Sequence, residues 1–264
     1  MIRRGPSLTR TDVRERVLEA YLADLAWCAA DPHFEKNDQA LTVFFSWLEA
    51  FRASQTPYLI LLGDLFQVWV GLPAVQTPEQ SGVIAALGTL AAAGRTVVYL
   101  RGNRDYFIEE PLREAGLLLR DEWDMEAPSV GRVRFEHGDL INTSDQHYLR
   151  WREISRSGTV RALFQLLPPE RQKAVARRLE QSLSGTNAYY KSYRPRKEME
   201  RWARRLAAEG VQAAVLGHFH VDEVSRTAGV DIRFVPQFRE DGAFLRIAAN
   251  GAAKLDRFSA APKL

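Results

Sequence analysis

Tyr58-Leu59-Ile60-Leu61-Leu62-Gly63-Asp64 reads as a strand that stops at a glycine and hands a carboxylate to the following loop. Five apolar residues are too few for a helix, and they suit a strand covered on both faces. Similar short runs span 26–30, 96–100, 133–136 and 213–216, each ending beside polar residues. Amphipathic stretches at 40–51 and 83–94 alternate with the first three runs, the second stopped by Gly94. This alternation predicts an α/β core with helices covering the sheet. After Gly217 the turn-rich segments at 232–236 and 244–248 are expected to make a second sheet or complete the first.

The 264 residues suffice for one large domain or a domain with a subdomain. Hydrophobic residues at 46% and charged residues at 26% are ordinary for a soluble globular protein. Cys28 is the only cysteine, so no intrachain disulfide can form and a reducing compartment fits. The basic N-terminus lacks the apolar core of a secretory signal. No run reaches the roughly 18 uncharged apolar residues of a transmembrane helix. A cytoplasmic protein is expected, with residues 1–25 as an N-terminal extension and 26–264 as the domain.

Residues 148–207 differ from the rest. They are helix-like and carry fifteen Lys/Arg against five Asp/Glu, an excess the remaining chain nearly cancels to a net +3. The stretch is expected to be an insertion capping the core. Charge runs of this kind are commonly solvated helix faces, but the basic balance also suggests an anionic partner.

The chain has five histidines, and four lie in short motifs at the ends of the apolar runs. The motifs are Asp31-Pro32-His33, Gly63-Asp64, Gly102-Asn103-Arg104-Asp105, His137-Gly138-Asp139 and Gly217-His218-Phe219-His220. Singly, each has an ordinary reading: a Gly-Asp pair after a strand is commonly a turn, and a His-x-His an exposed polar pair. Together they place carboxylate, imidazole and amide groups at successive strand tips, where open α/β sheets keep their ligand sites. Mn²⁺ and similar divalent ions accept this donor mixture, whereas structural zinc favours thiolates that one cysteine cannot supply. A carboxylate such as Asp64 can bridge two ions, and such a pair activates water and clamps phosphoryl oxygens.

The motif series resembles the calcineurin-like metallophosphoesterase superfamily, whose pattern is D-x-H, G-D, G-N-[HR]-[DE], a later His and G-H-x-H. All five blocks occur in order across residues 31–220. A second frame, Asp24-Leu25-Ala26, has Ala26 where the histidine belongs, so Asp24 is assigned to a preceding helix or its end. The resemblance implies a sandwich of two mixed sheets flanked by helices, with the cap inserted, and two divalent cations. Asp31, His33, Asp64 and His220 would take one metal; Asp64, Asn103, His137 and His218 would take the other. Asp105 and Asp139 would orient the ligands or cap turns.

Within the superfamily the chain is similar to the UDP-2,3-diacylglucosamine pyrophosphatases, hydrolases of lipid A biosynthesis. The likeness rests on Gly63-Asp64-Leu65-Phe66-Gln67-Val68-Trp69, Gly102 to Phe107, and His137-Gly138-Asp139 followed by Asp145 and Tyr148. It implies catalytic roles for Asp64, Asn103, Arg104 and His218. It also implies substrate contacts from Arg104, Asp145, Asn187, Lys191 and His218. Trp151, Leu163, Phe164, Leu166 and Leu167 would cover acyl chains, and the basic cap would meet anionic headgroups on the inner membrane's cytoplasmic face. A nucleotide-linked glycolipid is the expected partner, with no nucleic acid, and a monomer is expected. The sequence departs from the family at Gly71-Leu72-Pro73-Ala74, where an acidic run is usual. The Asn187–Lys191 spacing is one residue long, and the family serine falls at Ser182 or Ser184. Two rival readings are another activity at the same site, on a different phosphodiester, nucleotide pyrophosphate or phosphoprotein, and a non-catalytic polyanion binder.

Overall fold

Strands β1 (Asp24–Ala29), β2 (Tyr58–Leu61), β4 (Thr96–Leu100) and β6 (Leu118–Arg120) run parallel and adjacent in one sheet. Antiparallel β12 (Ala243–Ala248) and β13 (Ala253–Arg257) extend it beyond β1 to six strands. A second sheet has β8 (Gly131–Glu136), β9 (Val211–Leu216) and β11 (Val230–Phe234) in parallel. Its antiparallel edges are β7 (Glu122–Ala127) and β10 (Glu223–Thr227). The short β3 (Trp69–Val70) and β5 (Asp105–Tyr106) pair separately. The computed structural model describes residues 23–184 and 194–259.

Period-two alternation sorts the central strands between two cores. Ala26, Cys28, Ile60, Leu62, Val98 and Leu100 meet Met125, Val133, Phe135 and Val215 of the other sheet. Their neighbours Trp27, Ala29, Leu59, Leu61, Val97 and Tyr99 face helices α1 (Gln39–Ala53) and α2 (Pro78–Ala92). Burying a Leu, Ile or Val this way contributes roughly 1.5–3 kcal/mol. The strands therefore need apolar residues in both registers, which is why they read as uninterrupted runs.

Both helices begin before their apolar periodicity does. Asp38 caps α1 through the Ala40 amide, and Thr77 with Gln80 forms a capping box ahead of α2, with Pro78 in its first turn. A short α3 (Glu109–Glu114) follows β5. Helices α4 (Gln146–Ser155), α5 (Gly158–Gln165) and α6 (Pro169–Ser184) fill part of the stretch between β8 and β9. Residues 196–208 of that same stretch form α7 (Arg196–Ala208), whose Met199, Trp202, Ala203 and Leu206 pack on the second sheet against Ile232 and Phe234. A single-turn α8 (Phe238–Asp241) precedes β12.

One assignment is corrected. Asp24 opens β1 rather than belonging to a helix: it pairs with Ala248. Its carboxylate accepts hydrogen bonds from Trp27 Nε1 at 2.7 Å and Arg246 Nε at 2.9 Å. The cross-strand Arg246 lets a carboxylate sit at a strand start, and it lies too far along the chain to be read locally.

Candidate metal centre

Parallel strands in register end together, so the loops after them converge. Ala29 aligns with Leu61 and Leu61 with Tyr99 in the first sheet, and Glu136 with Leu216 in the second. Asp31, Asp64 and Asn103 leave the first three of these ends, and His137 and His218 leave the other two. An isolated bridge between Ala30 and Gln237 ties the segment after β11 to the first loop.

The loops bend sharply. Asp31, His33, Asp64, His218 and His220 all have positive φ, between 47° and 63°, among nine such non-glycine residues described. Left-handed backbone costs these residues free energy and persists where surrounding structure enforces it, typically at functional sites. Gly102 permits a close approach: a Cβ there would lie 2.2 Å from Asp64 Oδ1.

The side chains meet in a buried cluster. Asp31 Oδ1 lies 3.5 Å from His220 Nε2 and 3.9 Å from His33 Nε2, and the two imidazole nitrogens are 3.3 Å apart. Asp64 Oδ2 lies 3.9 Å from His33 Nε2 and 3.8 Å from His137 Nε2. Asn103 Oδ1 lies 3.1 Å from His137 Nε2 and 3.2 Å from His218 Nδ1. Asp31–His33–His220 and Asp31–Asp64–His137 are each compact enough to hold a metal ion.

Surrounding groups leave the correct atoms free to bind a cation. Asp31 Oδ2 accepts the His218 amide at 2.7 Å, and Asp64 Oδ1 accepts the Arg104 amide at 2.7 Å. Each carboxylate thus keeps its second oxygen for the cluster. His137 Nδ1 sits 2.6 Å from the Leu62 carbonyl, which assigns its proton there and leaves Nε2 as the donor to a metal. Its 3.8 Å approach of Nδ1 to Asp31 is therefore not a shared-ligand geometry. Asp105 accepts hydrogen bonds from the Gly102 amide at 2.7 Å and from Tyr99 Oη, fixing the loop that carries Asn103. Asp139 accepts from Arg152 Nε at 3.1 Å and from Tyr148 Oη, joining α4 to the His137 loop.

The electrostatics fit a cation. Among the described residues Asp31 Oδ1 is buried with no hydrogen-bond partner; such an oxygen costs free energy unless positive charge reaches it. Burial opposes the Asp31 carboxylate, yet His220, His137 and His33 together hold it well below the usual range. Burial, with Asp105 and Asp31 adding repulsion, pushes Asp64 up to about 7. Burial, then the neighbouring His137, pushes His218 down to about 3. Two buried carboxylates facing imidazole nitrogens form a site that divalent cations neutralise.

The family model for calcineurin-like phosphoesterases matches residues 26–222, which contain every one of these groups. The chain is a calcineurin-like phosphoesterase. A UDP-2,3-diacylglucosamine hydrolase of Neisseria meningitidis serogroup C / serotype 2a is 27% identical over 234 residues, covering 86% of this chain and 95% of that one. Enzymes of the same name match from Ralstonia nicotianae, at 27% over 77% of this chain and 72% of the other, and from Stutzerimonas stutzeri, at 32% over 57% and 62%. The phosphoesterase is thus an enzyme with an Asp/His centre for divalent metal ions.

The expected contacts outside the centre are placed unevenly. Arg104 is buried beside Asp64. Asp145 caps α4, accepting the Tyr148 amide at 2.9 Å, and lies at the cap's first turn. Asn187 and Lys191 lie outside the described residues. Tyr99, Arg152 and Arg156 are close to the centre and carried no signal, since an isolated tyrosine inside a strand or an arginine inside a basic run looks generic.

Proposed function

We propose that this phosphoesterase hydrolyses the diphosphate of UDP-2,3-diacylglucosamine in lipid A biosynthesis, releasing UMP and 2,3-diacylglucosamine 1-phosphate. The observation that carries the reading is a partly apolar cavity beneath α6, on the chain segments that follow His33 and Asp64. About 440 Å³ opens between α6 and the core, lined by Phe34, Phe66, Val68, Val70 and Ala176 and flanked by charged Glu35, Lys173, Arg177 and Glu180 among others. Phe34 adjoins His33 and Phe66 lies two residues from Asp64, so the cavity shares its chain segments with the centre. The cap adds exposed apolar side chains at Trp151, Ile154, Leu163 and Leu166. These would contact acyl chains and the cytoplasmic face of the inner membrane, where Arg150, Arg171, Arg177 and Arg178, all exposed, would meet anionic headgroups. No described helix is long and apolar enough to cross a membrane.

Asp31, His33, Asp64 and His220 would hold one cation, and Asp64, Asn103, His137 and His218 the other. Asp64 Oδ2, equidistant from the two imidazoles, would serve both. When bound, two divalent ions, Mn²⁺ by the donor mixture, supply charge neutralisation and an activated water. Arg104 would neutralise the diphosphate, and Asn103 with His218 would fix the scissile phosphoryl group. Attack at the α-phosphorus puts the water oxygen on UMP, while the β-phosphate oxygen leaves with the bonding pair.

The deciding assay compares purified Mn²⁺-loaded protein on UDP-2,3-diacylglucosamine, UDP-N-acetylglucosamine and bis(p-nitrophenyl) phosphate. UMP release from the acylated substrate should exceed that from the unacylated one by about 100-fold in kcat/KM, the worth of a few buried methylenes. Equal or greater turnover of the unacylated compounds rejects the lipid assignment.

A further inference from the structure

Arg156, between α4 and α5, reaches from the cap to the Gly102-Asn103-Arg104-Asp105 loop with its side chain. Its Nη2 donates to the Gly102 carbonyl, and its Cζ lies 5.7 Å from the Tyr106 ring centroid. That places a guanidinium next to Asn103, whose amide oxygen belongs to the ligand cluster. Its Nε and Nη1 are shut off from solvent and have no hydrogen-bond partner among the described residues. Two idle, sheltered donors on a permanent cation are costly unless an anion engages them. The nearby carboxylates are already engaged: Asp105 by Gly102 and Tyr99, Asp139 by Tyr148 and Arg152.

We infer that Arg156 is a second arginine contact for phosphoryl oxygens, delivered from the cap to the Gly102–Asp105 side of the centre. The inference rests on the proposed phosphoester chemistry but not on the acyl groups. It makes cap seating and anion binding one event, since the same guanidinium that docks the cap on Gly102 also offers its remaining donors to the phosphate. Neither an i,i+4 pairing nor a motif marks this residue, because its partner Gly102 lies 54 positions away.

The test is inhibition by inorganic phosphate of bis(p-nitrophenyl) phosphate hydrolysis in Mn²⁺-loaded protein. Arg156→Gln should raise the phosphate Ki by roughly 10–100-fold, the worth of a charge-assisted hydrogen bond. Metal content should stay that of the wild type, and Arg156→Lys should recover part of the affinity by restoring charge without the planar fork. An unchanged Ki in folded, metal-loaded Arg156→Gln overturns the inference and leaves Arg156 as a strut between cap and loop. Should the variants fail to fold, a crystal structure of wild-type protein with Mn²⁺ and phosphate decides. A phosphate oxygen within hydrogen-bond distance of Nε or Nη1 supports the contact, and a bound phosphate with both nitrogens still idle overturns it. Failure of UDP-2,3-diacylglucosamine turnover would remove the lipid reading while leaving these results intact.

Discussion

The metal centre and the cap are built by opposite rules. At the centre, short loops leave rigid strand ends, and several polar groups behind the cluster are held by named partners. Asp105 on Gly102 and Tyr99, and His137 on Leu62, are examples. In the cap, α4 to α6 touch the core through a few contacts, and large apolar side chains remain exposed, Leu166 at 80%. Positional precision is thus concentrated where phosphoryl chemistry would occur, while the cap keeps surface free for a partner. A region with little buried apolar area opens at lower free energy than the core.

The largest expected effect tests the centre. Asp64→Ala removes the carboxylate that faces both His33 and His137. Activity on any phosphodiester should fall by about 10³-fold or more, taking metal charge stabilisation at several kcal/mol. Metal content per chain, measured on the same sample, should drop with it. Full metal occupancy with full activity would break the assignment of Asp64.

Chelation should then separate the two regions. An ion bound at 100 times its Kd stabilises the folded state by about 2.7 kcal/mol, so EDTA should lower Tm accordingly. Hydrogen exchange should quicken in the loops at 31–33, 63–64, 102–104 and 217–220 and stay unchanged in α5. Equal quickening in α5 would mean that the cap depends on the centre more than its contacts suggest.

The contrast also explains what could be read from the chain. The strand ends were legible because five-residue apolar runs, each followed by ligand-type residues, carry their information locally. The helix starts were displaced because capping residues such as Thr77 precede the apolar periodicity. The cap's charge was the least legible feature. Its basic run suggested an outward face, yet Arg152 pairs with Asp121 and Asp139, and Arg161 with Glu110 fifty-one residues away. Inward and outward arginines look alike in sequence because only the tertiary partner distinguishes them. Asp24 followed the same logic through Arg246.

A smaller effect sharpens the cap side. Phe164 packs with Val68, Val70 and Leu72 of the core, whereas Leu166, two residues on, is exposed. Phe164→Ala should cost about 1 kcal/mol, less than a fully buried aromatic, and should speed exchange in α4 to α6. Leu166→Ala should stay within about 0.5 kcal/mol. If acyl chains bind the exposed face, Leu166→Ala should instead raise KM for the acylated substrate. Equal stability costs for the two variants would contradict the packing.

The smallest effect is an expected absence of change, and it tells local opening from global unfolding. Cys28 lies fully buried in the inter-sheet core, and burial pushes its thiol well above the usual range. A thiol reagent can reach it only when the sheets separate, because the reactive thiolate requires both water and space. Phe164→Ala loosens the cap without touching that core, so its Cys28 labelling rate in native buffer should match the wild type. A core change such as Phe135→Ala, which would cost about 3–5 kcal/mol, should accelerate labelling strongly. Faster labelling in Phe164→Ala would mean that opening the cap also parts the sheets, and the two regions would then be one cooperative unit.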